Sequence, residues 1–266
     1  MSLLFLVINN YCELLSHLED PSSQSCDNPF IKYRQCFRKI TQVCHAEVLS
    51  SPEMEFLSIT GLMHYLDPVW IPDPQQTALA IEHVANAGSL LELTGADRHP
   101  LALSSLPRYV VQPNHYRKLR ETDGESFRKI MGKLSEISPP IRGSDRKKLD
   151  LLARWFTQLA NFFFLIRPSR EKIHYDLLKD DERERFGMAL TEGAGRLFQT
   201  HCTIVAKQTI NERRKIEPND LYDAMQLLHL RDENRVFVTD DRFFYLYEID
   251  SEIQRVLPWS AFRRSF

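Results

Sequence analysis

Cysteine is scarce and unpatterned in this sequence. The five residues, Cys12, Cys26, Cys36, Cys44 and Cys202, are odd in number and form no C-x-x-C pair, which argues against a disulfide framework and a structural zinc site. Glycine is sparse as well, 9 residues beside 14 prolines, so collagen-like and low-complexity classes are excluded. No apolar run approaches the ~18 residues that a membrane helix needs. The two candidates, LLFLVI at 3–8 and FFFLI at 162–166, have the length of a strand and of a buried helix stripe. The first also lacks a basic flank and a small-residue cleavage site. A cytoplasmic protein with no membrane segment is expected. An excess of charge of one sign is missing too: 34 Lys and Arg against 36 Asp and Glu leave a formal net charge of −2, which does not advertise a polyanion-binding surface.

Several catalytic signatures are absent. There is no H-E-x-x-H and no His pair at i, i+4, no G-x-S-x-G and no G-x-x-x-x-G-K-[ST]. Zinc hydrolase, serine hydrolase and P-loop chemistries lose their usual carriers. Cys44 and His45 are adjacent, and neighbours on a helix point apart, so they make no catalytic pair.

What is present is a core-forming composition, 43% hydrophobic over 266 residues, enough for one large domain or two small ones. The opening SLLFLVI is a continuous apolar strand followed by Asn9, Asn10 and a helix-like YCELLSHL, so a sheet covered on both faces is expected. Helix is expected from about Phe30 to Cys44, over 75–93, 116–136, 145–166 and 170–208, the last with a break near Gly193 or Gly195. Pro52, Pro68, Pro72 and Pro74 punctuate the intervening text. Toward the end a helix NDLYDAMQLLHL precedes a β-branched and aromatic strand, RVFVT, at 235–239. Strand–helix, then helices, then helix–strand is an α/β pattern, and the first and last strands could lie side by side in one parallel sheet.

Acidic residues gather at the ends of these elements: Glu13 after the first strand, Asp220 and Asp223 in the first turn of a helix, Asp240 and Asp241 after RVFVT. Ligands of open α/β sheets bind beyond the carboxyl ends of the strands. Carboxylates converging there repel one another until a hard divalent cation offsets the charge. Each acid has an ordinary alternative role as helix cap, dipole partner or turn residue.

The combined text PNDLYDAMQLLHLRDENRVFVTDDRFF resembles the C-terminal half of PIN-like nuclease domains, in which an Asp opens a helix and a strand then ends in Thr-x-Asp followed by an aromatic. Asp241 follows Asp223 by 18 residues, and Thr239, Asp240, Asp241, Phe243 and Phe244 supply the second element. The family also places a Glu on a helix just after a strand, and FLVINNYCELLSHL is similar to that segment, with Glu13 in place. The resemblance implies a PIN-like parallel sheet flanked by helices with an enlarged helical middle: a single domain over 1–266 with a mostly helical insertion at 94–210. It implies a Mg²⁺- or Mn²⁺-dependent ribonuclease hydrolysing RNA, with Glu13, Asp223 and Asp241 holding the metal and Asp240 and Asp220 as secondary ligands. An antitoxin-type protein partner is implied for some members.

The family's first motif, a strand ending in Asp upstream of the Glu, is absent. Either the chain begins inside the domain, or SLLFLVINN is itself the first strand with Asn9 replacing Asp and Glu47 taking the helix position. The missing acid keeps a second function open, a non-catalytic PIN-like module that binds RNA or protein. Basic clusters at Arg142, Arg146, Lys147 and Lys148, at Arg213, Arg214 and Lys215, and at Arg263 and Arg264 suit an RNA backbone or a solvated helix face. Phe243, Phe244 and Tyr245 suit either base stacking or a core.

Overall fold

The computed structural model describes residues 4–7, 14, 18, 28–67, 74–89, 92–93, 121–122, 124–126, 128–129, 147, 151, 175–211, 217, 220–240, 255–262 and 264. The chain divides into two compact units, Met1–Ser51 with Asp67–Thr122, and Pro52–Leu66 with Asp123–Phe266. The described architecture is mostly helical, with its strands in two parallel pairs.

In the first unit β1 (Leu4–Val7) pairs in parallel with β2 (Cys44–Leu49). A parallel pair requires a crossover between its strands, and α1 (Pro29–Val43) occupies it. Asn28 caps α1 by accepting the Phe30 N–H at 3.1 Å, ahead of a proline in the first turn. The helix ends where Cys44 turns extended and enters β2 directly. It packs on α3 (Pro74–Asn86). Phe30 and Phe37 are buried on one helix, Ala80, Ile81, Val84 and Ala85 on the other. Two guanidinium groups close the far end of α3: Arg38 Nε donates to the Ala85 carbonyl and Arg34 Nη1 to that of Ala87, both at 2.8 Å. Cations there satisfy the last carbonyls and complement the helix dipole.

The second unit is built on α2 (Pro52–Thr60), which is buried nearly all round. It stops at Gly61, φ +71°, where the Leu62 N–H reaches the Leu57 carbonyl at 2.8 Å and the Gly61 N–H that of Ser58 at 3.2 Å. This Schellman termination needs the left-handed backbone that glycine adopts freely. A 3₁₀ turn, Met63–Tyr65, follows. Then come α4 (Asp180–Ala189), α5 (Gly193–Asn211), α6 (Asp220–Gln226) and a second 3₁₀ turn, Leu227–Arg231, continuing α6. Phe56 on α2 meets Phe186 on α4 edge-to-face, ring centroids 5.0 Å apart. The chain ends in β3 (Phe237–Val238), β4 (Val256–Leu257) and α7 (Trp259–Phe262). Ala194, Leu197, Leu227, Leu230 and Val256 form a core cluster against which Phe237 packs.

The two strand regions that could have lain side by side pair otherwise among the described residues, β1 with β2 and β3 with β4. RVFVT yields a strand of only two residues because both its ends are tied off. Before it, Asp232 folds into an Asx turn by accepting the Asn234 N–H at 3.0 Å. After it, Asp240 leaves the ladder to bind Trp259, as described below. The break expected near Gly193 or Gly195 falls between α4 and α5, with Gly193 at φ +48°. A Cβ on Gly195 would run into the Ala189 carbonyl, so the turn depends on glycine for close backbone approach.

Candidate functional site

α6 carries two acids in its first turn, Asp220 and Asp223. Asp220 is buried, and its Oδ2 accepts the Glu217 N–H at 2.9 Å while its own N–H donates to the Glu217 carbonyl at 3.1 Å. A carboxylate reaching back three residues to a backbone N–H is one half of a capping box, satisfying a donor that the helix start would leave orphaned. Asp220 thus has the capping role weighed for it against metal binding. Asp223 stands three residues on, on the same side of the helix and half-buried. Behind α6 lies Cys202, whose thiol burial first and the Asp220 charge second push up from its ordinary pKa.

The acid at the end of β3 is also engaged. Asp240 Oδ1 accepts the Trp259 N–H at 2.9 Å, and Thr239 N–H donates to the Leu257 carbonyl at 2.9 Å. The Thr239 bond carries the β3–β4 ladder one residue further, and the Asp240 side chain fastens the strand end to the start of α7. Asp241, the next residue in the chain, lies outside the described residues, as do Glu13, Arg213, Arg214, Lys215, Phe243, Phe244 and Tyr245. Glu47 lies within strand β2 and not on a helix, which removes it as the helix Glu of the alternative N-terminal reading.

Two further constellations escaped the sequence. On α2, Glu53 and Glu55 are acidic first-turn residues and both are buried. Glu55 Oε2 is 3.2 Å from Arg231 Nε, its Oε1 is 3.4 Å from Arg235 Nη1 and 4.0 Å from His229 Nδ1. The last distance exceeds a hydrogen bond, and neither ring nitrogen of His229 has a hydrogen-bond partner among the described residues. Burial drives the His229 pKa from 6.5 to about 4, with Glu55 opposing and Arg235 adding to the shift, so the ring is neutral at pH 7. Arg235 Nη1 also donates to the His229 carbonyl at 3.4 Å, and Arg255 Nη1 to those of Leu230 and Asp232 at 2.7 and 2.9 Å. These arginines close the carbonyl end of the turn that continues α6, as Arg34 and Arg38 do for α3. Since α2 packs against both α6 and this turn, Glu53 and Glu55 follow a strand, open a helix and adjoin the helix of Asp223. The sequence signal was slight, a Pro-led helix with two early glutamates after the segment CHAEVL, and Pro52 read as punctuation.

The second constellation centres on Glu182 of α4. Its Oε2 accepts the Lys179 N–H at 2.9 Å, the Tyr65 hydroxyl donates to both oxygens at 3.1 and 3.0 Å, and His64 Nε2 lies 3.1 Å from Oε1. Burial opposes ionisation, but the Lys179 N–H, the Tyr65 hydroxyl and His64 outweigh it and hold the carboxyl below the usual range. Lys179 and Glu182 stand at the same separation as Glu217 and Asp220, so the capping device is used twice.

A divalent ion needs several hard oxygen donors aimed at one point. Asp220 and Asp240 each have an oxygen held by a backbone N–H, and Glu55 is neutralised by two arginines. No group of three or more His, Cys, Asp and Glu among the described residues is placed to hold a metal. The described donors therefore do not make a metal centre by themselves, and the expected set depends on Glu13 and Asp241. No helix among the described residues is long and apolar enough to cross a membrane. Comparison with known proteins adds no relative: no family model, no curated protein and no solved structure matches this chain.

Proposed function

We propose that the chain is a PIN-like ribonuclease that hydrolyses RNA phosphodiester bonds, with Mg²⁺ or Mn²⁺ held by Glu13, Asp223 and Asp241. The observation that supports this reading is the order of elements around the C-terminal acids: α6 bearing Asp223, then β3, then Thr239 and Asp240 at the strand end. That is the order on which the resemblance to PIN-like nucleases rests. A bound ion would polarise a phosphoryl oxygen and supply a hydroxide at neutral pH. The chain's own contribution is positional. Asp220 fixes the start of the helix that carries Asp223, and Asp240 fixes the strand end from which Asp241 follows, so the two C-terminal ligands of the proposal each have a structural acid close by in sequence. Pinned backbone is what a metal-holding carboxylate requires.

A second reading, a non-catalytic PIN-like module that binds RNA or protein, draws on a different observation: the engaged states of Asp220, Asp240 and Glu55. Incubation of the full chain with mixed RNA, with and without Mg²⁺ or Mn²⁺, separates the two. The nuclease reading predicts cleavage that needs the metal and is lost in Asp223→Asn and Asp241→Asn but kept in Asp240→Asn. RNA left intact by well-folded protein at every metal concentration refutes it and leaves the module.

A further inference from the structure

Trp259 opens α7 with its side chain exposed, 46% of the residue being accessible, in a chain that has three tryptophans. A large exposed indole is ordinarily unremarkable on its own; here its mounting sets it apart. The ring stacks on Phe262 one turn along, centroids 5.7 Å apart and planes 25° from parallel, and Phe262 is itself buried. One face of the indole thus has a fixed aromatic backing while the residue stays open to solvent. Its backbone N–H is held at 2.9 Å by Asp240 Oδ1. The backbone that carries the indole is therefore tethered to the strand end from which the proposed ligand Asp241 follows. Arg264 lies just beyond, exposed, its Nε donating to the Ser260 carbonyl at 3.2 Å, and supplies a cation on the same segment.

We propose that Trp259 is a stacking platform for an unpaired RNA base, placing a single-stranded nucleotide next to the strand-end acids. The inference rests on the ribonuclease reading and narrows its substrate to RNA with a splayed base. A rigid aromatic face receives any base, because every base has a π-face, and sequence preference is then weak. Exposed Arg264 adds a sequence-independent phosphate contact. Double-stranded RNA, whose bases are already stacked, gains nothing from the platform.

The test measures binding and cleavage separately. Affinity for a fluorescent single-stranded oligouridine is read by anisotropy in EDTA, where no metal-dependent cutting occurs, for the unmodified chain and for W259A, W259L and W259F. The expected result is a loss of about fivefold to a hundredfold in W259A and W259L, the range that one base–aromatic stack spans, with W259F retaining most of the affinity. An oligonucleotide with abasic sites should weaken the unmodified chain and leave W259L unaffected. Since W259A removes the partner of Phe262 and could unfold α7, a chain carrying W70F and W155F, whose sole indole is Trp259, gives a second readout: its emission should be quenched by the RNA. Equal binding by W259L, absence of quenching, or no RNA binding in EDTA overturns the inference. Metal-dependent cleavage with no dependence on Trp259 removes the platform and keeps the nuclease. Trp259-dependent binding without cleavage does the reverse.

Discussion

Three of the buried acids on the second unit show how a carboxylate is tolerated away from water. Glu182 and Asp220 each accept a backbone N–H at a helix start, and Glu55 accepts two guanidinium groups; unpaired, any of them would cost several kcal/mol or take up a proton. His229 is the contrasting case, a buried ring that stays neutral. The unfolded chain protonates this ring below about 6.5 and the folded chain only below about 4. Between those values the unfolded state binds more protons, so stability is full above the window and falls as pH drops through it. The slope amounts to about 3 kcal/mol by pH 4. Glu182, held below its ordinary value, adds a loss of the same sign at still lower pH. Denaturant midpoints measured from pH 7.5 to 4 should fall in the unmodified chain and flatten between 6.5 and 4 in His229→Gln. An equal slope in both would place the pH dependence elsewhere. None of this was legible in the sequence, where His229 was one of nine histidines without a motif and burial is set by tertiary packing.

At the scale of elements, the helices were the legible part. α1 covers Pro29–Val43 where a helix from about Phe30 to Cys44 was expected, and the gap between α4 and α5 fell near the expected glycines, because apolar spacing and Gly or Pro breaks are local signals. The helix text NDLYDAMQLLHL gave α6 and its 3₁₀ continuation. RVFVT was legible as a strand in kind but not in length, since the Asx turn of Asp232 and the bond from Trp259 to Asp240 shorten it; the second depends on a residue 19 positions away. Gly195 gives this scale its prediction. Replacing it with alanine drives a Cβ into the Ala189 carbonyl, and the backbone between α4 and α5 must move. A loss of about 1–3 kcal/mol is expected, against a gain of about 0.4–1 kcal/mol for Gly187→Ala, which lies inside α4 and whose Cβ meets nothing within 4 Å. Equal chemical-denaturation midpoints for the two variants would show that the turn does not need the close approach.

At the scale of the whole molecule, composition placed enough apolar residue for a core but did not apportion it. The chain divides into two compact units and passes between them three times, after Ser51, after Leu66 and after Thr122; the first of these junctions, between β2 and α2, was presented by the sequence as Pro-punctuated text. Strand partners were the least legible feature, because pairing depends on which distant segment meets the strand. The candidate site was legible as a set of acids at element ends. Asp220 and Asp240 carry backbone bonds that a sequence cannot reveal; the metal proposal keeps Glu13, Asp223 and Asp241 as its primary ligands. The most direct test of this division is thermal unfolding of the full chain and of D220N, D223N, D240N and D241N, each with and without Mg²⁺ or Mn²⁺. The unmodified chain should gain in midpoint with metal. D223N and D241N should lose that gain without falling in its absence, since removing a like charge relieves repulsion, while D220N and D240N fall by about 0.5–2 kcal/mol without metal and keep the gain. No metal-dependent rise in the unmodified chain, with D223N and D241N destabilised as much as D220N and D240N, would contradict the metal proposal.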